Sequence, residues 1–317
     1  MKLSTIQKNN FIFKINLLNE YILRSENLSE IEITFIKREL YSLLDILPIS
    51  PEIIRDFGQP VERLVINESI LNKNSRLKNI SEVKYPPKEY ERNLNYNRCS
   101  LKGQSIMYVG AMGILANSIE VQPESGQLSS ISKWKHKVGV LFNLLVLCQD
   151  KEISENYPNQ LLEEYNGYET WLNKLDENTK IVIENIFKLI IKAFTRKVSY
   201  QNKQGYLFSA LISNYFFYHS NVTVDAIYYP SVPNTGWAMN LAIKPDVFDL
   251  KFELMEITES VCCKHGNNQW MNIATATSVG YDKLGNLIWK SVPITDDYPT
   301  NEYSLKKMIQ YYDIKFE

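Results

Sequence analysis

Four polar side chains stand out by their context in the sequence. Arg63 interrupts the apolar run "VERLVI", and Arg98 follows "NYN" in a loop rich in Asn and Gly. Tyr108 lies inside the run "IMYVG", and Glu120 has apolar neighbours in "NSIEVQP". Side chains of these types bind phosphate oxygens, stack on cationic rings and balance a developing positive charge. Taken singly, each also has a structural explanation, because an edge-strand arginine is commonly solvated and a strand tyrosine is commonly packed.

A fifth polar residue, Ser231, ends the stretch "DAIYYPS". The surrounding pattern predicts a strand "AIYYP", a turn rich in Pro, Asn and Gly, and a second strand "MNLAI" that begins near Asn240. Ser231 therefore lies at the mouth of the first strand. The local sequence leaves two explanations open, a turn serine and a serine that contacts a ligand.

Other common site chemistries find little support in the sequence. The run "CCKHG" contains Cys262, Cys263 and His265, but adjacent cysteines chelate zinc poorly and no second pair follows at ligand spacing. No metal site is therefore expected. The run "GAMGILAN" lacks the third glycine of a Rossmann fingerprint, and no G-x-S-x-G accompanies the three histidines. Rossmann-type dinucleotide binding and a serine-hydrolase triad are therefore disfavoured.

Two blocks of the sequence resemble the RES domain family, which is named for its characteristic Arg, Glu and Ser. The first is "YNRCSLKGQSIMYVGAMGILANSIEVQPESG", with the order R-x-x-x-x-G-x-x-x-x-Y before "IEVQP". The second is "VDAIYYPSVPNTGWAMNLAIKP", where the family has "Y-P-S" and a later "N-L-A" strand. The resemblance covers about Val61 to Pro245. Ser100 stands where many relatives have Asn, and the blocks are separated by a long helical region.

The resemblance implies an ADP-ribosyltransferase-like fold and an enzyme that degrades NAD+ by cleaving the nicotinamide-ribose bond. It implies catalytic roles for Arg63, Glu120 and Ser231, with Glu120 preferred over Glu124 because it directly precedes "VQP". It implies that Arg98, Tyr108 and Asn240 bind substrate, the arginines on the pyrophosphate and the tyrosine on the nicotinamide. No bound cofactor is expected, since NAD+ is the substrate. Inorganic phosphate is the co-substrate if cleavage is phosphorolytic.

The resemblance leaves several functional alternatives open. Hydrolysis and phosphorolysis both occur in the family, and transfer of ADP-ribose to a macromolecular acceptor is a second activity. A non-catalytic binding module is a third possibility. Members of the family act as bacterial toxins that an antitoxin neutralises by covering the cleft. The additional helical segments of this chain could hold such an inhibitor, form a homo-oligomer, or only pack.

The elements that must position these residues predict an α+β fold. Residues 1–55 form an N-terminal helical extension with a capping box at Ser29 and Glu32, and 56–317 form a RES-like catalytic domain. Within that domain, about 132–198 is expected to be a helical insertion into a mixed β core. It opens with the apolar run Val138 to Cys148, which predicts a buried helix. Its last helix should bury one apolar stripe, which consists of Ile183, Ile186, Phe187, Ile190 and Phe194.

Composition narrows the classes of partner and compartment. The chain has 35 basic against 36 acidic residues, so no basic excess draws it onto nucleic acid or an anionic membrane. Four cysteines in 317 residues do not make a disulfide framework and suggest a reducing compartment. The N-terminal stretch breaks its apolar residues with Lys and Asn, which is untypical of a secretory signal. A cytoplasmic protein is therefore expected.

Overall fold

The structure is a computed structural model that describes residues 2–87, 92–111, 121–147, 159–199, 201–232, 238–264 and 270–291. Its helices are α1 (Thr5–Leu23), α2 (Glu30–Leu44), α3 (Asn67–Leu71), α4 (Asn159–Leu172), α5 (Glu177–Thr195), α6 (Leu207–Tyr218) and α7 (Pro245–Lys251). Short 3₁₀ turns occupy Ser25–Asn27, Ile80–Val83 and Lys203–Tyr206. The strands are β1 (Glu52–Ile54), β2 (Val61–Ile66), β3 (Met107–Gly110), β4 (Leu128–His136), β5 (Phe142–Val146), β6 (Ala226–Pro230), β7 (Met239–Ile243), β8 (Phe252–Lys264), β9 (Trp270–Tyr281) and β10 (Leu287–Ser291). The predicted α+β class is confirmed.

The chain divides into two compact units. The first comprises Met1–Ile54, Lys88–Ile106 and Leu141–Lys244. The second comprises Arg55–Pro87, Met107–Val140 and Pro245–Glu317. Residues 1–54 thus share a unit with later parts of the chain. The predicted boundaries, a helical extension at 1–55 and a catalytic domain at 56–317, stay a prediction.

The first unit sets helices against four strands in the order β1-β5-β6-β7. The β5–β6 pair is parallel, and the two outer pairs are antiparallel. Helix α1 packs against α2 and α5, and α2 packs against α6. The predicted capping box is confirmed at the start of α2, where the Ser29 Oγ accepts from the Glu32 amide and the Glu32 carboxylate accepts from the Ser29 amide.

Helix α5 forms as its periodicity predicts. The expected stripe is buried along its whole length, and its members are Ile183, Ile186, Phe187, Ile190 and Phe194. Asp176 caps the helix by accepting from the Thr179 amide at 3.2 Å. The apolar side chains at three- and four-residue spacing therefore specify both the helix and the face that it buries.

The predicted helix between Val138 and Cys148 is wrong. Phe142–Val146 form strand β5, which pairs with β1 on one side and β6 on the other. A strand with neighbours on both sides can be apolar on both faces, so its sequence lacks the polar alternation of a half-buried strand. The segment expected to be a helical insertion also contains the end of β4. Its described helices begin only at Asn159.

The second unit is a six-stranded antiparallel arrangement in the order β3-β2-β4-β8-β9-β10. Its register defines two faces. One face carries Glu62, Lys133 and Glu256 side by side, all partly exposed, with Lys133 Nζ 2.7 Å from Glu256 Oε1. The other face carries Arg63 opposite Ser132, which is fully buried. The turn "DKLGN" joins β9 to β10, with Gly285 at φ +83°, a conformation that glycine adopts without strain.

Among the described residues, no helix combines the length and the apolar character that crossing a bilayer requires.

Candidate anion-binding site

Arg63 lies in the middle of β2, on the inner face of the second unit. Its cross-strand partner is Ser132 of β4. The guanidinium is fixed by one hydrogen bond, which Nη1 donates to the backbone oxygen of Tyr108 at 3.0 Å. Two of the sequence-predicted site residues, Arg63 and Tyr108, are therefore brought together by the pairing of β2 with β3.

The Nε–Nη2 edge of the Arg63 guanidinium makes no hydrogen bond to the described residues. Nε is buried and has no hydrogen-bond partner among the described residues. Within the same part of the chain, Nη2 makes no hydrogen bond and no carboxylate lies within 4.0 Å. Burial lowers the pKa of Arg63 to about 10, so the group keeps its charge at neutral pH. A fixed cation with a free Nε–Nη2 edge is the geometry that binds phosphate or carboxylate bidentately.

Tyr108 differs in exposure from its neighbours in β3. Met107, Val109 and Gly110 are buried, whereas the tyrosine is only half-buried. Its backbone oxygen accepts the hydrogen bond from Arg63. Because Glu62 pairs with Gly110, strand alternation places the Tyr108 side chain on the Glu62 face of the sheet. The contact between Arg63 and Tyr108 is therefore made through the backbone of Tyr108.

No feature of the sequence predicts an ion pair that lies on the sheet face of Arg63. Arg76 donates from Nε to both oxygens of Glu259, each at 3.1 Å, and from Nη2 to Oε1 at 2.8 Å. Glu259 is fully buried in β8 and also accepts from Thr275 Oγ1 at 2.6 Å. The guanidinium lies 5.4 Å from the ring centre of Trp289. The two partners are 183 positions apart, and only the register of β8 brings them together.

Arg98 lies at the C-terminal end of α5 in the first unit. Nη1 donates to the backbone oxygens of Phe194 and Arg196, and Nη2 donates to that of Arg196 at 3.3 Å. The guanidinium also lies 4.9 Å from the ring centre of Tyr206. These carbonyls are the acceptors that a helix end leaves without intrahelical partners, so Arg98 acts as a C-terminal cap. Its predicted contact with substrate phosphate stays a prediction.

Ser231 and Asn240 lie on one hairpin of the first unit. Ser231 directly follows β6, is 2% exposed, and donates its backbone N–H to Ala238 at 2.9 Å. Asn240 in β7 pairs with Tyr229 in β6 and is half-buried. Because Ser231 is two residues after Tyr229, strand alternation places all three side chains on the same face. The structure thus brings these two predicted residues together.

A chain of contacts joins this hairpin to Arg98. The ring of Phe194, whose backbone oxygen Arg98 binds, lies 5.4 Å from the ring of Tyr229. Cys99, the residue after Arg98, is buried against Tyr229 and Ser213, and burial raises the pKa of its thiol to about 12. Such a thiol is a packing group rather than a nucleophile. Arg98, Ser231 and Asn240 therefore form one neighbourhood within the first unit.

Glu120 lies outside the described residues, but the chain just after it is described. Gln122 has φ +53°, a left-handed conformation that is rare for a residue with a side chain and rarer before a proline. Asn74 holds the segment that follows, donating to the Gly126 oxygen at 3.1 Å and accepting from the Leu128 amide at 2.8 Å. Backbone strain of this kind tends to occur at functional sites, where the surrounding contacts maintain it.

The metal-site residues considered above fall mostly outside what the structure describes, since this is true of His265 and of the Cys263 side chain. Cys262 is buried, with its sulfur 3.0 Å from Ser129 Oγ and 3.1 Å from Asn272 Oδ1. In the described parts of the chain, no group of three or more His, Cys, Asp or Glu side chains is arranged to hold a metal ion.

No protein-family model matches the chain, and no curated protein matches it. The likeness to RES domains therefore rests on the motif blocks of the sequence alone.

Proposed function

We propose that this protein is an NAD+-degrading enzyme that cleaves the bond between nicotinamide and ribose, on an ADP-ribosyltransferase-like fold. The observation that carries the proposal is the unpaired edge of Arg63. A buried donor without a partner costs about 1–3 kcal/mol, so a protein that retains one gains something from its ligand. A pyrophosphate oxygen pair supplies both the missing acceptors and the missing negative charge.

The resemblance to RES domains favours a dinucleotide over other anions. Arg63 would bind the pyrophosphate, and Tyr108 would stack on the cationic nicotinamide ring, a contact of about 0.5–2 kcal/mol. Ser231 and Asn240 carry hydroxyl and amide groups suited to the ribose hydroxyls or to the nicotinamide amide. Arg98 is the second arginine of the motif, and its cap on α5 also holds the neighbourhood of Ser231 together.

In the proposed reaction the C–N bond to nicotinamide breaks, and the leaving group takes the electron pair and departs neutral. The ribose develops oxocarbenium character, as in glycoside hydrolysis. Glu120 would stabilise this charge and orient the nucleophile. A water or phosphate oxygen forms the new bond to ribose, and for water the released proton passes to solvent. Gln122, two residues later in the sequence, has a strained backbone, a feature that tends to occur at functional sites.

The proposal is tested by incubating the purified protein with NAD+, with and without inorganic phosphate, and identifying the products. Nicotinamide plus ADP-ribose indicates hydrolysis, and a phosphorylated ADP-ribose that appears only with phosphate indicates phosphorolysis. Labelled ADP-ribose recovered on a macromolecule would replace the proposal with a transferase. Intact NAD+ under all conditions would contradict it and leave a binding module.

A further inference from the structure

His136 is a buried titratable residue to which the proposed reaction assigns no role. It ends strand β4 and is 4% exposed. Its cross-strand partner is Phe252 at the start of β8, and the centres of the two rings are 5.5 Å apart. Phe252 stacks in turn on Phe248 of α7, with ring centres 5.4 Å apart. The imidazole therefore packs against aromatic rings that carry no charge.

Two segments in which the chain passes from one unit to the other come together near this histidine. We call them the crossover segments, residues 55–57 and 137–140. Arg55 is the first residue of the second unit, and Val140 is the last before the chain returns to the first. The Gly139 amide donates to the Arg55 oxygen at 3.2 Å, so the two segments are hydrogen-bonded to each other.

The charged groups that face this imidazole act in opposite directions. Asp56, in the first crossover segment, favours a proton on the ring, and Lys251, at the end of α7, disfavours it. The ion pair of the adjacent residues, Lys135 with Glu253, points to the other face of the strands. Burial lowers the pKa of His136 below its ordinary value of 6.5 and outweighs the favourable effect of Asp56.

We propose that His136 is a pH-sensitive switch, whose protonation releases the crossover segments from the second unit. A buried ring that gains a charge is stabilised by water, which reaches it only if neighbouring residues move. On one side lies the ladder of β4 and β8. On the other side lie the crossover segments, which are held by single backbone hydrogen bonds such as that from Lys137 to the Lys251 oxygen at 2.9 Å. The segments therefore open before the ladder does.

The direction of the effect follows from the linkage between protonation and opening. The closed state binds the proton less readily than an open state in which the ring meets water. The closed state is therefore favoured at neutral pH and loses stability as the pH falls below 6.5. At pH 5.5 the equilibrium constant for opening rises by at most about tenfold over its neutral value. This switch does not depend on the proposed catalytic activity.

Hydrogen exchange of the 317-residue chain, followed by mass spectrometry at pH 7.5 and pH 5.5, measures this opening. The rates are corrected for the intrinsic effect of pH on amide exchange. In the wild type we expect the opening constant of the crossover segments to rise about five- to tenfold. In His136→Phe, which keeps an aromatic ring but cannot be protonated, it should not rise. His136→Gln is a second neutral variant and should behave in the same way.

His219→Gln is the matched control, because His219 is an exposed histidine at the C-terminal end of α6. It should show the same rise as the wild type. The inference is overturned if the wild type shows no rise, if the folded variants at position 136 keep it, or if His219→Gln abolishes it. A rise that is equally large in α1 and α5 would also overturn it, because it would indicate acid unfolding of the whole protein.

Discussion

Arg63 is the residue on which the proposed function chiefly depends. Its position in an apolar strand marks it in the sequence, but its environment does not follow from the sequence. The hydrogen bond to the Tyr108 oxygen depends on how β3 pairs with β2. Among the residues that the structure describes, Nε has no partner because the neighbouring strands supply no acceptor to it. A solvated arginine in an edge strand would have the same sequence context.

Arg63→Met should abolish stabilisation by ligand while leaving the fold intact. Methionine removes an unsatisfied donor, which offsets the lost bond to Tyr108, so the free energy of unfolding should stay within about 1 kcal/mol of wild type. Thermal unfolding with and without ADP-ribose measures both quantities. A loss above about 2 kcal/mol in the absence of ligand would instead make Arg63 a structural residue.

Arg76→Met is the companion substitution on the same face and should behave in the opposite way. It leaves the fully buried Glu259 carboxylate without its cation, which is expected to cost about 3–5 kcal/mol. Urea unfolding gives the value. If Arg76→Met were no more destabilising than Arg63→Met, the assignment of a structural pair beside a ligand-binding arginine would be wrong.

At the scale of elements, periodicity predicts what local sequence determines. Helix α5 shows a 3.6-residue stripe and forms as expected, as does the capping box of α2. A helix was wrongly predicted at β5 because a continuous apolar stretch fits a buried helix and a strand paired on both sides equally well. Its length of five residues is the property that separates the two, and no sequence signal marked its ends.

The C-terminal cap of α5 is the element-scale contact that the sequence could not show. Arg98 binds backbone oxygens 96 and 98 positions away. Arg98→Ala should lower the free energy of unfolding by about 1–3 kcal/mol, because hydrogen bonds from a charged donor to carbonyls at a helix end are lost. Chemical denaturation measures the loss.

Arg98→Lys is the control for that substitution. Lysine keeps the positive charge at the helix end but lacks the planar guanidinium that donates several hydrogen bonds. The loss of stability should therefore be smaller than that of Arg98→Ala. Equal stability of all three proteins would contradict the cap. The KM for NAD+ of the folded Lys variant then tests the separate prediction that Arg98 binds substrate.

At the scale of the whole molecule, recognition of the proposed substrate is local. A net charge of -1 gives no broad positive field, so a buried arginine with no counter-ion in the described parts of the chain stands out more than it would on a basic surface. The resemblance gave Arg63, Tyr108, Ser231 and Asn240 as separate candidates. In the second unit Arg63 donates to the Tyr108 backbone oxygen, and in the first unit Ser231 and Asn240 lie on one hairpin. The Arg76–Glu259 pair required the sheet register, which polar residues in a strand do not specify.

The central claim is tested most directly by the rate of nicotinamide release from NAD+ by the wild-type protein and by Glu120→Gln. The account predicts turnover by the wild type and a loss of about a hundredfold or more in the variant, with unchanged thermal unfolding. Glu124→Gln, an exposed carboxylate four residues later, should match the wild type. Near-normal release by Glu120→Gln, or no release by the wild type, would contradict the account.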